Sequence, residues 1–270
     1  MEKTGSSLLD VTYLDTLSYR DTPVHRLDPR VKVLTTLLFI VCVVSFNKYE
    51  LSALLPFVIY PVVLVALGNL PLGYLVKKVL LAAPFALLIG IFNPLLDRAV
   101  LIHLGSVEIS GGWVSFASIM LRFVLTVSAA LILVASTGFN AVCVALEKLG
   151  APSAFTVQLL FLYRYIFVLA DEAWRMVRAR SLRSFGGRGM ELKVSSLMIG
   201  QLLLRTLDRA QRIHLAMRCR GFDGEIRTVR RLRLGYRDLL FLVGCSALFL
   251  FMRLHDVPRW LGDTTMVLMR

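Results

Sequence analysis

Residues 113–137 read WVSFASIMLRFVLTVSAALILVAST, a run whose one charge is Arg122. A helix needs about 20 mostly apolar residues to cross roughly 30 Å of hydrocarbon, where its backbone polar groups must be satisfied internally. The run therefore reads as a transmembrane helix, with Trp113 suited to an interfacial aromatic belt. Four more stretches follow the same reading: 33–46, which is short but extendable if Lys32 snorkels; 51–76, with Pro56 and Pro61 as kinks; 79–96; and 239–252, between Arg237 and Arg253. Gly68-Asn69-Leu70-Pro71 ends the second near the interface, and Phe92-Asn93-Pro94 ends the third. The expected fold is an all-α integral membrane protein with about five transmembrane helices plus two or three long amphipathic cytoplasmic helices.

Composition agrees. The 270 residues are 57% hydrophobic and 18% charged, with a mean hydropathy of +0.70. These values exclude a soluble enzyme, a disordered binder and a disulfide-stapled secreted domain. Cys42, Cys143, Cys219 and Cys245 form no Cys-x-x-Cys and read as small packing residues. The first thirty residues hold no apolar signal-peptide core, so the mature chain is expected to start at Met1. No Gly-x-x-x-x-Gly-Lys-Ser/Thr loop occurs, so ATP is not expected to bind through a Walker loop here. His-Glu-x-x-His and Gly-x-Ser-x-Gly are also absent, and His25, His103, His214 and His255 are isolated and read as packing or interfacial residues.

The formal net charge is +13, and residues 164–237 carry 17 Lys and Arg against 6 Asp and Glu, a net +11. Positive residues stay cytoplasmic. Arg20, Arg26, Arg30 and Lys32, then Lys77 and Lys78, then the basic block fall on one side of a four-crossing pattern, whereas the loops 47–50 and 97–112 are poor in cations. The N-terminus and 138–237 are thus expected inside and the C-terminus outside, with segments 1–137, 138–237 and 238–270 as N-terminal membrane region, cytoplasmic helices and final span.

The basic block is organised. Over 153–184, Arg164, Asp171, Arg175 and Arg178 recur at steps that share a helix face, with Asp171 and Arg175 as an i,i+4 pair. Gly186-Gly187-Arg188-Gly189 breaks that helix. A second runs over about 194–219, with Leu203, Leu207, Ala210, His214 and Met217 on one stripe and Arg205, Asp208, Arg209 and Arg212 on another, and stops at Gly221. Each helix finishes in a cationic tip: Ala179-Arg180-Ser181-Leu182-Arg183 and Met217-Arg218-Cys219-Arg220-Gly221-Phe222.

With Leu27-Asp28-Pro29-Arg30-Val31-Lys32 and Phe92-Asn93-Pro94-Leu95, these tips make the chain resemble the transmembrane T components of energy-coupling factor (ECF) transporters, most closely the CbiQ-type subunits of cobalt uptake. That family carries an Ala-Arg-Gly-like signature at the end of each of two coupling helices. Here Ala179-Arg180-Ser181 has Ser for Gly, and Cys219-Arg220-Gly221 has Cys for Ala. The resemblance implies a non-catalytic subunit in a bacterial or archaeal plasma membrane, serving cobalt uptake and so cobalamin biosynthesis. Its partners would be two ATP-binding-cassette ATPases, docked at Arg180 and Arg220 with support from Arg183 and Arg218, and a substrate-binding membrane subunit. Arg178 and Asp223 would contribute less. ATP and Mg would be used by the partners, with no cofactor or metal on this chain.

Three alternatives stand beside that expectation. Arg180 and Arg220 could bind anionic lipid headgroups. The chain could be a stand-alone secondary transporter or channel, although Arg122 is the one intramembrane charge and no internal repeat is visible. A nucleic-acid binder would need stacking aromatics beside its cations, but the aromatics here lie mainly on apolar faces. Within the ECF class, nickel or a vitamin could replace cobalt as cargo.

Overall fold

The computed structural model describes residues 15–47, 49–96, 100–104, 107–183, 192–224 and 234–254. These divide into two compact units, one drawn from 1–145 with 232–270 and the other from 146–231. The expected Gly186–Gly189 break, the C-terminal tail, His255 and Asp97 lie outside the described residues.

In the first unit, α1 (Pro29–Val44) starts where Asp28 accepts the Arg30 amide at 2.9 Å and Pro29 occupies the first turn. The second helix, α2 (Leu51–Gly68), tightens to a 3₁₀ turn at Leu55–Val58, beside Pro56. It stops at Asn69, which takes a left-handed φ of 48°. Pro71 then precedes α3 (Leu72–Gly90), so the division falls earlier than the expected 51–76 and 79–96. Lys77 and Lys78 accordingly lie inside α3, not between spans. A short turn, α4 (Phe92–Leu96), holds Asn93, whose amide donates to Ser115 Oγ at 2.9 Å.

The strands β1 (Val100–Leu104) and β2 (Val107–Ser110) pair antiparallel. This hairpin is the exception to the all-helical expectation, in a segment whose alternating Val, Ile and Leu suit a strand. Next come α5 (Gly111–Thr137) and α6 (Phe139–Lys148), and the unit closes with α9 (Tyr236–Leu254). The second unit contains α7 (Ser153–Arg183) and α8 (Leu192–Cys219). Among the described residues, four helical stretches are long and apolar enough to cross a membrane: Leu51–Gly68, Leu72–Pro94, Gly111–Thr137 and Ser153–Arg183. The last lies in the segment expected on the cytoplasmic side, whereas the expected spans in α1 and α9 fall outside this set.

Although α1 and α9 are not in that set, they contribute to the main core. Phe39 (α1), Tyr60 (α2) and Phe249 (α9) form an aromatic triangle with centroid separations of 4.5, 5.4 and 5.0 Å. Phe57 and Phe46 extend it, and Leu125, Ala129 and Ile132 of α5 join the same core. Edge-to-face and offset rings are the arrangements favoured by the aromatic quadrupole.

Polar contacts fix the register. Lys32 does not snorkel: it is 5% exposed and its Nζ donates to the Ser136 carbonyl at 3.0 Å, near the end of α5. At the other end of α1, Arg122 of α5 donates to the Asn47 carbonyl. Arg253 of α9 donates to the Ser45 carbonyl at 3.1 Å and stacks on Phe46. These contacts make α5 antiparallel to α1 and α9 parallel to it. Among the described residues, Glu50 is the acid whose charge acts on Arg122. Asp238 is buried, with one carboxylate oxygen accepting the Asp28 amide at 2.9 Å and the other the Gly235 amide at 2.8 Å. It thereby joins the starts of α1 and α9.

Replacing Asp238 by Ala should lower stability in detergent by about 2–3 kcal/mol, because hydrogen bonds to a buried carboxylate are lost. Asn, which keeps an acceptor, should recover part of the loss, and thermal unfolding of the three proteins checks this order.

His25 gives a second test. Its Nε2 donates to the Leu17 carbonyl at 3.1 Å, and Nδ1 accepts from Thr22 Oγ1 at 2.6 Å, so the neutral ring is satisfied. Burial, and then the Lys32 ammonium, push its pKa below the usual 6.5. A depressed histidine pKa stabilises the fold above the unfolded value, and that stability is lost as pH falls through the folded one. Tm should therefore fall on acidification below about pH 6.5 less steeply in His25→Gln than in the parent.

Candidate functional site

The second unit is an antiparallel helix pair. Glu172 of α7 accepts from Arg205 Nη1 of α8 at 2.7 Å, and Phe222, just past α8, lies 6.4 Å from Phe161, earlier in α7. Ala173, Met176 and Val177 line an apolar groove with Met198 and Leu202. Positions ascending in α7 thus meet positions descending in α8.

This pairing separates the two expected tips. Arg180 lies eight residues beyond Glu172, and Arg220 lies fifteen beyond Arg205 in the opposite direction. At about 1.5 Å per residue, they stand roughly 35 Å apart along the pair. The structure therefore does not bring Arg180 and Arg220 together but sets them at its two ends. Ala179, Arg180, Ser181 and Arg183 occupy the exposed last turn of α7, where Ser181 Oγ donates to the Arg178 carbonyl at 2.8 Å. Arg218, Cys219, Arg220 and Gly221 are exposed at the end of α8. Among the described residues, no hydrogen bond or ion pair engages the side chains of Arg180, Arg183, Arg218 or Arg220.

Both tips sit where a helix leaves carbonyls without intrahelical partners and carries partial negative charge. The second is closed tightly: the Phe222 amide donates to the Met217 carbonyl and the Gly221 amide to the Arg218 carbonyl, each at 3.0 Å. That double closure needs a left-handed residue, and Gly221 has φ +78°. It frees the guanidinium of Arg220 from capping duty, leaving five donors in a planar fork for an external carboxylate or carbonyl.

Other expectations resolve differently. Asp171 and Arg175 do not ion-pair; the pairing acid is its neighbour Glu172, which faces α8. The stripe of Leu203, Leu207, Ala210 and His214 is exposed, while Met198, Leu202, Thr206 and Ile213 lie toward α7. Cys143 is buried, Cys42 and Cys245 are partly so, and Cys219 is exposed. The Glu172–Arg205 bridge had no signal beyond acid and base on two amphipathic helices, whose register sequence alone leaves open. No group of three His, Cys, Asp or Glu side chains converges among the described residues.

Membrane-spanning helices together with an antiparallel pair ending in exposed arginine tips define a multi-pass membrane protein with a cationic helix pair. A family model described as CbiQ, cobalt transport protein, matches residues 20–230, which include both tips. The chain belongs to this family. It is 28% identical over 253 residues to the energy-coupling factor transporter transmembrane protein EcfT of Streptococcus thermophilus, covering 86% of this chain and 94% of the relative. An uncharacterised protein of Methanocaldococcus jannaschii is 29% identical, over 81% of this chain and 78% of its own. The cobalt transport protein CbiQ of Rhodobacter capsulatus is 33% identical, over 31% and 35% respectively.

Gly221→Ala places a Cβ in open space, so its cost is conformational alone. With about 1–2 kcal/mol lost on left-handed backbone, the Gly221 and Phe222 amides should exchange hydrogen roughly tenfold faster. Unchanged exchange would contradict this helix closure.

Proposed function

We propose that the chain is the coupling subunit of a cobalt importer, passing the motion of two ATP-binding-cassette ATPases to a separate substrate-binding membrane subunit. Its family and its likeness to EcfT over most of both chains make it a transmembrane transport component of the energy-coupling factor class. The observation that carries the coupling role is the placement, at opposite ends of one helix pair, of two arginine tips whose guanidinium groups have no partner among the described residues. One chain can thereby address two ATPases at once.

Arg180 and Arg220 are the principal docking groups, Arg183 and Arg218 add charge, and Ala179, Ser181, Cys219 and Gly221 keep the surface small enough for close approach. Arg178 and Asp223 lie beside these surfaces as lesser contributors. Closure of the ATPase dimer on ATP and Mg, both held by the partners, carries each tip with it. The helices then slide or scissor, since among the described residues a partly exposed ion pair, the Phe161–Phe222 contact and a shallow apolar groove hold them, and such an ion pair is worth about 0–1 kcal/mol. The exposed Leu203 and Leu207 stripe supplies apolar area for the substrate-binding subunit. In this reading the N-terminus and both tips face the cytoplasm, as the Lys and Arg distribution favours, so α7 lies along the membrane surface and does not cross, although it is long and apolar enough to do so.

The double substitution R180E/R220E should abolish co-purification with the ATPases and ATP-driven cobalt uptake, with membrane insertion unchanged. Each single Ala variant should be milder, since loss of one interface anchor costs about 1–4 kcal/mol. Normal association and uptake in the double variant would refute the assignment of the tips. Uptake by the purified chain alone in liposomes would instead favour a stand-alone transporter.

A further inference from the structure

A second cationic surface lies between α7 and α8, away from the tips. Arg205, Arg209 and Arg212 line one side of a groove of about 500 Å³, with Leu169 and Glu172 opposite and Ile213 beside them. Their spacing of four and three residues places all three guanidinium groups on one face of α8. Of these three, Arg205 is ion-paired to Glu172, and no ion pair among the described residues engages Arg209 or Arg212, leaving an excess of two positive charges in the groove. This face lies opposite the Leu203 and Leu207 stripe assigned above to the substrate-binding subunit.

Helical periodicity carries an apolar track from the groove along α7. Leu169 lines the groove, and Ile166, Leu162 and Phe155 follow on the same face of α7 at steps of three, four and seven. Those three side chains are 48%, 57% and 54% exposed. A cationic pocket opening onto an exposed aliphatic stripe matches a ligand with an anionic head and a hydrocarbon tail. An acidic peptide would match the arginines but would gain little from the stripe.

We propose that this groove is a binding site for an anionic phospholipid, its phosphate held by Arg209 and Arg212 with Arg205 alongside, and its acyl chain lying on Leu169, Ile166 and Leu162. The fork of a guanidinium presents paired donors to phosphate oxygens, and arginine keeps its charge at a lipid surface. Glu172 holds Arg205 in place and sets the inner limit of the headgroup. A lipid in this groove would brace the two helices in one register through contacts that their own surfaces do not supply. The site does not depend on ATPase docking at the tips.

Titration of the full chain in neutral detergent with short-chain dihexanoyl phosphatidylglycerol, followed by calorimetry, tests the proposal. Saturable binding is expected, whereas dihexanoyl phosphatidylcholine and inorganic phosphate at equal concentration should compete poorly. R209Q/R212Q should weaken binding roughly 25-fold, about fivefold for each cation near an anionic lipid. L162N/I166N, which leaves every arginine in place, should also weaken it. R180E/R220E should bind as the parent does, which separates this site from the tips. Parent-like affinity in R209Q/R212Q would overturn the proposal. So would equal competition by phosphate or by an acidic peptide together with parent-like affinity in L162N/I166N, since that would mark a general anion or protein surface. The competition series on the parent chain decides the matter even if a variant folds poorly.

Discussion

A helix that ends in an apolar environment leaves carbonyls without donors, and in the first unit those carbonyls are answered by cations from elsewhere in the chain. Lys32 reaches the Ser136 carbonyl near the end of α5; Arg122 and Arg253 reach Asn47 and Ser45 beyond α1; and Arg20 reaches Asn69 beyond α2. Each contact satisfies an acceptor and neutralises part of the negative end of a helix dipole. Each also links two segments at a fixed register. Slipping one helix would leave a cation and several carbonyls unpaired together, so the polar ends specify what the aromatic core, which tolerates some repacking, would not.

The second unit uses the same residue type without internal acceptors. Its arginines also gather at helix ends, yet the tip guanidinium groups have no partner among the described residues, and at Arg220 the helix carbonyls are already closed by the Gly221 turn. An arginine near a helix terminus is thus structural or available according to whether the backbone has already met its own needs. The two units differ accordingly. One is tied at both ends by donors from within the chain, while among the described residues the other is held by the Glu172–Arg205 bridge, the Phe161–Phe222 contact and a shallow groove.

Much of this was legible in the sequence. The limits of α5, α7 and α8 follow from apolar length, helical periodicity and Gly221, all of which are local. The tips were readable because terminators and arginines adjoin in sequence. What was not legible depends on contacts across the chain. Lys32 looked like a snorkelling residue because sequence does not disclose the Ser136 carbonyl beside it. Lys77 and Lys78 suggested a boundary, but the break lies at Asn69, where the backbone turns left-handed before Pro71. Asp171 had the better helical spacing to Arg175, yet Glu172 faces α8 and makes the bridge. The pairing of Val100–Leu104 with Val107–Ser110 is not legible, because a short apolar run beside spans reads as loop or helix until pairing is known.

Within each coupling helix, charge is polarised along its length: 153–163 of α7 and 194–204 of α8 carry no charged side chain, while the second halves are strongly basic. Antiparallel pairing sets the apolar half of each against the basic half of the other. Both ends of the pair therefore present the same chemistry, a cationic helix end beside an apolar helix start, although the sequences differ. Parallel pairing would have gathered all the cations at one end, where repulsion would oppose the pairing. Alternation along two helices thus yields two like-charged ends about as far apart as the helix pair allows.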